Sequence, residues 1–357
     1  MPRVHIDILT PKQVLFFNEV IKELKKSGYE TLITTRKYRE VNQLLQLKKL
    51  KAVVVGKHGG ATLKGKLESS LKRTLLLKDL LVEKKPNVSL SFSSPEAVRA
   101  SFGLAIPHIC VNDSPHAEAV AKLTVPLSEK LLTPYVIPQK AWIRLGASEN
   151  MIVQYRALDP VVWLSRFRAN PQTLKQLNLS KRKPIITIRL EETYAAYLTK
   201  FPTTGSKILP IIRRIVKEFR DTAQIVVIPR YEDQAPMLQK KFGKKITVAE
   251  RVVDGPSLIA FSSVFIGGGG TMTAEAALLG IPTFFCHPRE LTLVEKFLIH
   301  KKLVKRVTDS EVLIKRMLQI LRNLEQFKVL QNRRAKQLTS KMENPVRAIK
   351  KVIAQSC

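Results

Sequence analysis

The chain reads as an α/β protein of two Rossmann-like halves, each a parallel sheet wrapped by helices, with the sheets facing across a cleft. Three observations predict this. Short apolar runs alternate with stretches of helical period along most of the chain, the pattern of repeated βαβ units. At 357 residues the chain exceeds one domain of roughly 100–200 residues. The alternation also breaks once, between residues 136 and 164, and then begins again.

In the first half, residues 4–9 form an apolar run read as a strand. Residues 13–27 follow as a helix whose inner face is Val14, Phe17, Val20, Ile21 and Leu24, stopped by Gly28. Strands are expected at 30–34, 51–55, 88–92, 108–111 and 130–133, and helices at 41–47, 63–83 and from Pro95 to 102. Pro138, Gly146 and Pro160 make 136–164 irregular, a crossing between domains. The second half opens with a strand ending at 188. A helix at 208–219, a strand at 224–228, a helix at 234–242 and a short strand at 246–248 come next. An apolar strand over 258–266, with 264–266 as its core, leads into a helix over 274–279. A strand at 283–286 and a helix at 293–301 follow, and the chain stays helical to 351. The expected domains are 1–140 and 181–335, with a crossing at 141–180 and a terminal helix at 336–357.

Composition narrows the partners. The 61 basic and 29 acidic residues give a net charge of +32. Such a charge favours polyanions, phosphorylated substrates or an anionic membrane surface. The basic residues are spread over nearly every helix. With no zinc-finger spacing and no aromatic RNA-binding signature, nucleic acid is a weaker expectation than a phosphorylated ligand. Cys110, Cys286 and Cys357 show no metal spacing and no paired framework. No run reaches the roughly 18 apolar residues of a membrane span. No signal peptide precedes the first strand. A cytoplasmic protein is expected, at most peripheral to a membrane. The helix over 63–83 is amphipathic and basic. It packs on a core, or it meets a membrane surface if its extra leucines stay exposed.

The most informative stretch is Val-Phe-Ile-Gly-Gly-Gly-Gly-Thr-Met-Thr-Ala-Glu, residues 264–275. A strand runs into Gly267, Gly268, Gly269 and Gly270, and a helix begins with Thr271 or Thr273 as its cap. Glycines let a ligand approach the backbone, and the free N–H groups of a helix start favour a phosphate. Glu275, one turn on, suits a ribose diol. The stretch lacks the Gly-Lys-Ser/Thr ending of a Walker loop, and it does not open the chain as a dinucleotide fingerprint would. Arg189, at the end of its strand, is a second candidate for the diphosphate. Glu191 and Glu192 after it read as surface ion-pair partners. Tyr231 and His287 also end strands and are candidates to line the site.

In the first half the unusual residues also follow strands. They are Asp7 and the Thr10-Pro11-Lys12-Gln13 turn, then Lys57, His58 and Gly59, then Ser94 and Glu96, then Asp113, His116 and Glu118. Ligands of parallel sheets bind at the carboxyl ends of strands, so these residues are expected on one rim.

These residues carry a resemblance. Two α/β halves, a glycine loop in the second and a Glu one turn into its helix resemble the GT-B glycosyltransferases. That resemblance implies a nucleotide-sugar site in the second half, with Gly268, Gly269, Gly270 and Thr271 at the phosphates and Glu275 at the ribose. Over nearly its whole length the chain also resembles a family of prokaryotic proteins of unknown function with this fold. The shared features are Thr10-Pro11, Gly56-Lys57-His58-Gly59-Gly60, Ser93-Ser94-Pro95-Glu96-Ala97 and Asn112 to Ala119. His116-Ala117-Glu118-Ala119 is similar to the His-x-Glu-Ala segment of non-hydrolysing UDP-N-acetylglucosamine epimerases, which implies an acid/base role for Glu118.

The expectation is therefore a metal-independent, cofactor-free enzyme that moves a sugar from a nucleotide-diphosphate donor to an acceptor. Gly267 to Thr271 and Arg189 would hold the diphosphate. His116, Glu118 and Asp113 are the candidate catalytic groups, and Asp7, Lys57, His58, Gly59, Ser94 and Glu96 the candidate acceptor or sugar contacts. An epimerase acting on the same donor is the first alternative. A non-catalytic polyanion binder is the second.

Overall fold

A computed structural model describes residues 1–191, 206 and 208–357. They form two compact units, Met1–Trp163 with Met342–Cys357, and Leu164–Lys341. The crossing expected at 141–180 is thus divided between them. Its first part is regular enough to close the first sheet.

The first unit runs β1 (Arg3–Ile8), α1 (Pro11–Lys26), β2 (Glu30–Lys37), α2 (Arg39–Leu47), β3 (Val53–Lys57), α3 (Leu63–Lys84), β4 (Val88–Ser91), α4 (Pro95–Gly103), β5 (His108–Val111), α5 (Glu118–Thr124), β6 (Lys130–Pro134), α6 (Gln139–Ile143), β7 (Ile152–Tyr155) and α7 (Val161–Leu164). Its seven strands are parallel in the order β3-β2-β1-β4-β5-β6-β7. The sequence reading missed β7 because four residues inside a Pro- and Gly-rich stretch carry too little periodicity. Helix α1 starts where Pro11 can sit without losing a hydrogen bond, ends with Lys25 and Lys26 at its negative pole, and buries Val14, Phe17, Val20, Ile21 and Leu24.

Strand β1 is central, so both its faces are buried. Val4, Ile6 and Ile8 supply one apolar face, and the other carries His5 and Asp7, which must find partners inside. His5 bonds Thr34 at 2.8 Å and Ser89 at 2.9 Å, Thr34 donates to Asp7 at 2.6 Å, and Ser91 bonds His108 at 2.9 Å. This polar seam crosses β2, β1, β4 and β5. Burial keeps both imidazoles neutral, with His5 pushed down to about 4 and His108 to about 3. Asp7 takes the guanidinium of Arg73 from α3 through both oxygens, at 3.0 and 2.5 Å. Arg73 also donates to the Val55 carbonyl of β3 at 2.9 Å and lies 3.6 Å from Glu96 of α4. Burial alone would raise the Asp7 carboxyl, but Arg73 outweighs it and holds the group below the usual carboxylate range.

The second unit runs α8 (Gln172–Gln176), β8 (Ile185–Arg189), α9 (Leu209–Phe219), β9 (Gln224–Ile228), α10 (Gln234–Phe242), β10 (Thr247–Val248), α11 (Gly255–Ala260), β11 (Val264–Gly267), α12 (Thr271–Leu278), β12 (Thr283–Phe285), α13 (Leu293–His300), β13 (Val304–Arg306), α14 (Ser310–Arg322) and α15 (Leu324–Thr339). Among the described residues its six strands are parallel in the order β10-β9-β8-β11-β12-β13. Ile186, Ile188, Ile225 and Val227 meet Ile212, Ile215 and Phe219 of α9 in one core. The strand expected over 258–266 is confined to its end. Residues Gly255–Ala260 make a helical turn with Pro256 at its start.

The last helix, α16 (Pro345–Ser356), belongs to the first unit. It packs on α1, where Lys350 meets Glu23 at 3.2 Å. Cys110 and Cys286 are buried and Cys357 is exposed. Among the described residues no helix is long and apolar enough to cross a membrane.

Breaking one partner of a buried ion pair costs about 3–5 kcal/mol, because the other charge stays behind in the dry interior. Arg73→Met is therefore expected to lower the unfolding free energy by about that amount in a urea titration. Asp7→Leu/Arg73→Met, which removes both charges, should recover most of the loss. An unfolding midpoint unchanged by Arg73→Met would contradict this account.

Candidate functional site

Strand order reverses once in each sheet, between β1 and β4 in the first unit and between β8 and β11 in the second. A reversal leaves a crevice beyond the carboxyl ends of its two strands, because the connections leave in opposite directions. The glycine stretch lies at the second unit's reversal, with Gly267 opposite Arg189 in the β11–β8 register.

Gly269 has φ +103° and Gly270 φ +79°, conformations that a side chain resists. Gly270 caps α12 without a side chain, and Thr271 is the first helical residue. Thr273 is buried, and so is Glu275, at 1% exposure. The loop already meets a carboxylate from its own chain. Gly270 N–H donates to Glu295 Oε1 at 3.1 Å. Arg289 grips the same carboxylate through both Nη atoms, at 2.6 and 3.0 Å, and its Nη2 donates to the Gly268 carbonyl at 3.1 Å. A Cβ on Gly269 would fall 2.1 Å from both Arg289 Nη2 and Glu295 Oε1. Glu295 is held by a capping box with Thr292 at the start of α13. Arg306 donates to the carbonyls of Pro288 and Arg289, and both guanidiniums lie over the Phe285 ring, at 5.1 Å for Arg289 and 5.9 Å for Arg306. The Arg289 cation thus stands against the glycine loop, and Arg306 holds the segment that carries it.

Arg189 shares the strand end, but its guanidinium donates to the Pro229 carbonyl after β9. Glu191 is buried and accepts from Ser206 at 2.8 Å. It does not lie at the surface as expected, and Glu192 lies outside the described residues. Arg230 and Tyr231 donate their N–H groups to Gln234, which shapes the turn into α10. His287 accepts the Arg289 N–H at 3.1 Å.

The first unit gathers a different set. Lys12, in the first turn of α1, lies 2.6 Å from Asp113 and 2.6 Å from Asp159. Tyr155 at the end of β7 donates to the other oxygen of Asp159. The ammonium also sits 4.1 Å above the Phe92 ring. Ser114 donates to Asp113 at 2.8 Å, and Asn112 receives the Ser114 N–H at 2.7 Å. Gln13 ties the reversal together, accepting from Leu9 N at 2.6 Å and donating to the Phe92 carbonyl at 3.2 Å. The two carboxyls differ. Asp159 is 1% exposed, and burial, reinforced by Asp113, lifts it to about 6 despite Lys12. Burial acts on Asp113 too, but Lys12 overcomes it and keeps that carboxyl low. The Asp113 side chain is 21% exposed, so this ionised group can be reached from outside.

The other candidates separate. Asp7 is consumed by Arg73 and Thr34. Ser94 caps α4 by accepting from Ala97 N at 3.2 Å and donates to Glu96 at 3.2 Å. Lys57 ends β3 at the surface. His58 stacks on Tyr38 with ring centroids 4.8 Å apart, and a Cβ on Gly59 would strike the Gly65 carbonyl at 2.6 Å. His116 is half-buried in the turn before α5. Glu118 is 54% exposed, 3.6 Å from Arg144 and 3.9 Å from Lys122. Sequence reading set Lys12 on the rim without a specific role and gave none to Tyr155, Asp159, Arg289 or Glu295. Only the Thr292-x-x-Glu295 spacing was a readable signal, as a capping box. Among the described residues no group of three or more His, Cys, Asp or Glu could hold a metal ion.

Two outcomes follow from this geometry. Gly270→Ala adds backbone strain alone, in a φ/ψ region nearly confined to glycine, so about 1–3 kcal/mol of stability should be lost. Gly269→Ala adds a collision to the strain and should cost more, and equal losses in thermal unfolding would count against the Glu295 contact. Asp159 has a raised folded value, so its stabilising effect is complete below about pH 4, its unfolded range, and disappears as pH rises through about 6. The stability difference between wild type and Asp159→Asn should therefore shift against the wild type across that window, and a flat difference would refute the raised value.

Comparison with known proteins fits this architecture. An uncharacterized protein of Methanocaldococcus jannaschii is 33% identical over 316 residues, covering 87% of this chain and 89% of that protein. The UDP-GlcNAc 2-epimerase of Neisseria meningitidis, solved with UDP-GlcNAc, superposes with a TM-score of 0.74 at 16% identity, covering 99% of this chain and 100% of that one. The UDP-GlcNAc 2-epimerase of M. jannaschii, in complex with UDP-GlcNAc and UDP, gives 0.68 at 18% identity over 89% and 92% of the two chains. The spinosyn forosaminyltransferase SpnP gives 0.64 at 14% identity over 99% of each. At such identities the likeness shows the fold, which is GT-B, two Rossmann-like domains. The family described as protein of unknown function DUF354 matches residues 3–350, and the chain belongs to that family.

Proposed function

We propose that the protein is a GT-B-type enzyme acting on a nucleotide-diphosphate sugar, and that it transfers the sugar to an acceptor hydroxyl. The observation that carries this reading is the glycine loop at the β8/β11 reversal, with the Arg289 guanidinium bonded to its Gly268 carbonyl. N–H groups at the start of α12 and the Arg289 guanidinium, once exchanged from Glu295, match the charge that develops on a leaving diphosphate. Glu275, one turn into α12, is the proposed ribose ligand. The GT-B fold supports the substrate class, since neighbours of that fold were solved with UDP-GlcNAc or UDP.

The first unit offers the Lys12–Asp113–Asp159 cluster at its own strand reversal. Asp113, ionised and reachable, is the proposed base that takes the proton of the acceptor hydroxyl as its oxygen attacks the sugar. Lys12 holds that carboxylate in place, and Asp159, buried behind it with Tyr155, balances the lysine. Transfer needs one base, and this cluster presents one accessible carboxylate. Glu118 remains the proposed second group beside Asp113 for the epimerase reading, which the epimerases among the fold neighbours favour. Epimerisation needs a proton removed and another delivered, and so a second acid/base group facing the sugar.

Thermal shift against UDP, GDP, CDP, TDP and their sugars tests the donor site. One nucleotide should stabilise the protein, by about 2.7 kcal/mol at a hundred times its dissociation constant. Glu275→Gln, close in size to the buried original, should weaken that nucleotide while leaving the unliganded protein folded. Conversion of a UDP-sugar to its epimer without any acceptor would select the epimerase. If no nucleotide stabilises the protein while nucleic acid binds in a salt-sensitive way, the scaffold is a polyanion binder.

A further inference from the structure

Gly270 N–H and the Arg289 guanidinium are the donors placed for an anion at the glycine loop, and both are spent on one side chain. The Glu295 carboxylate accepts Gly270 N–H at 3.1 Å, Thr292 N–H at 2.9 Å and both Nη atoms of Arg289, at 2.6 and 3.0 Å. Its side chain is 4% exposed. The capping box of α13 uses only the bonds with Thr292. The other three tie the start of α13 to a loop that precedes it by 25 residues. There is no spare room in this contact, because a Cβ on Gly269 would strike both Arg289 and Glu295.

Each partner also has anchors of its own. Arg289 donates to the Gly268 carbonyl at 3.1 Å and to the Glu290 carbonyl at 2.7 Å, and it lies over the Phe285 ring. Glu295 keeps Thr292. The pair can therefore part without either side chain losing its place. Parting has a cost, because a buried carboxylate that loses its cation is left uncompensated. On the reading that the glycine loop receives the diphosphate, we propose that Glu295 is an internal lock on that seat, and that a ligand binds only by drawing Gly270 N–H and Arg289 away from it. The cost of opening is the same for any occupant. A nucleotide has further contacts to set against it, including the ribose at Glu275, whereas a small inorganic anion has none. The lock thus reserves the loop for nucleotides over free pyrophosphate at equal concentration.

The test is calorimetric titration of the full chain with inorganic pyrophosphate, and with UDP, GDP, CDP and TDP, at one fixed salt concentration. Glu295→Gln keeps the size and the bonds to Thr292 but removes the charge. It should bind pyrophosphate roughly tenfold or more tightly than wild type while its own unliganded melting temperature falls. Opposite signs in affinity and stability mark a site that the protein fills itself. Thr292→Ala, which breaks the cap alone, should lower the melting temperature without the gain. The gain should vanish in Arg289→Met/Glu295→Gln, which separates it from the mere loss of an acid on a basic chain. Pyrophosphate binding that is unchanged or weaker in Glu295→Gln overturns the lock, and nucleotides that still bind wild type then leave the donor site standing without it. A gain for pyrophosphate, with no nucleotide bound by either protein, keeps the lock and removes the nucleotide reading. Binding of nothing by either protein overturns both.

Discussion

A carboxylate in the central strand of a buried sheet must be neutralised, and in the first unit that demand organises its neighbours. Asp7 sits where both faces of β1 are covered. Its only economical solution is a cation delivered from a helix, and Arg73 delivers it across the whole width of α3. In reaching Asp7 the guanidinium also takes a carbonyl from the edge strand β3 and approaches Glu96 of α4. One side chain therefore fixes the position of α3 over the sheet and of α4 beside it. The polar seam through His5, Thr34 and Ser89 extends the same solution sideways, since each hydroxyl satisfies a group that the strand would otherwise bury unpaired.

The two reversals of strand order use opposite chemistry. In the second unit, a loop amide and a guanidinium close on the single carboxylate of Glu295. In the first, Lys12 is placed between two carboxyls, and burial splits them into an ionised Asp113 and a more basic Asp159. Environment separates two identical functional groups into different protonation behaviour, which is the usual way a protein obtains an acid and a base from one residue type. Gln13, at the root of α1, joins the two strands that flank this cluster and so holds Lys12 in position.

Much of the architecture was legible because it is periodic. The inner face of α1 follows directly from Val14, Phe17, Val20, Ile21 and Leu24, and the parallel sheets from the alternation of runs. What stayed hidden was short or long-range. Strand β7 has four residues, and the apolar end of the turn Gly255–Ala260, Leu258 to Ala260, reads as the start of the strand that follows. Of the site, the glycine loop was visible because its residues are adjacent. Lys12, Asp113 and Asp159 are separated by scores of residues, and no local pattern marks their meeting. Asp7, Ser94 and Glu96 looked like rim residues because they end strands or start helices. Their side chains point into the ion pair and the α4 cap.

The contact between Glu295 and the glycine loop bears on how such motifs are read in general. A run of glycines is taken as the imprint of a ligand, yet here Gly269 is required by two side chains of the protein itself. The loop folds around an internal carboxylate that occupies one of its amides. An incoming phosphate would thus enter a competition, exchanging places with a resident anion instead of filling an empty cradle. Affinity in such a site is a difference between two anions, and the resident one sets the threshold below which weakly charged molecules are turned away.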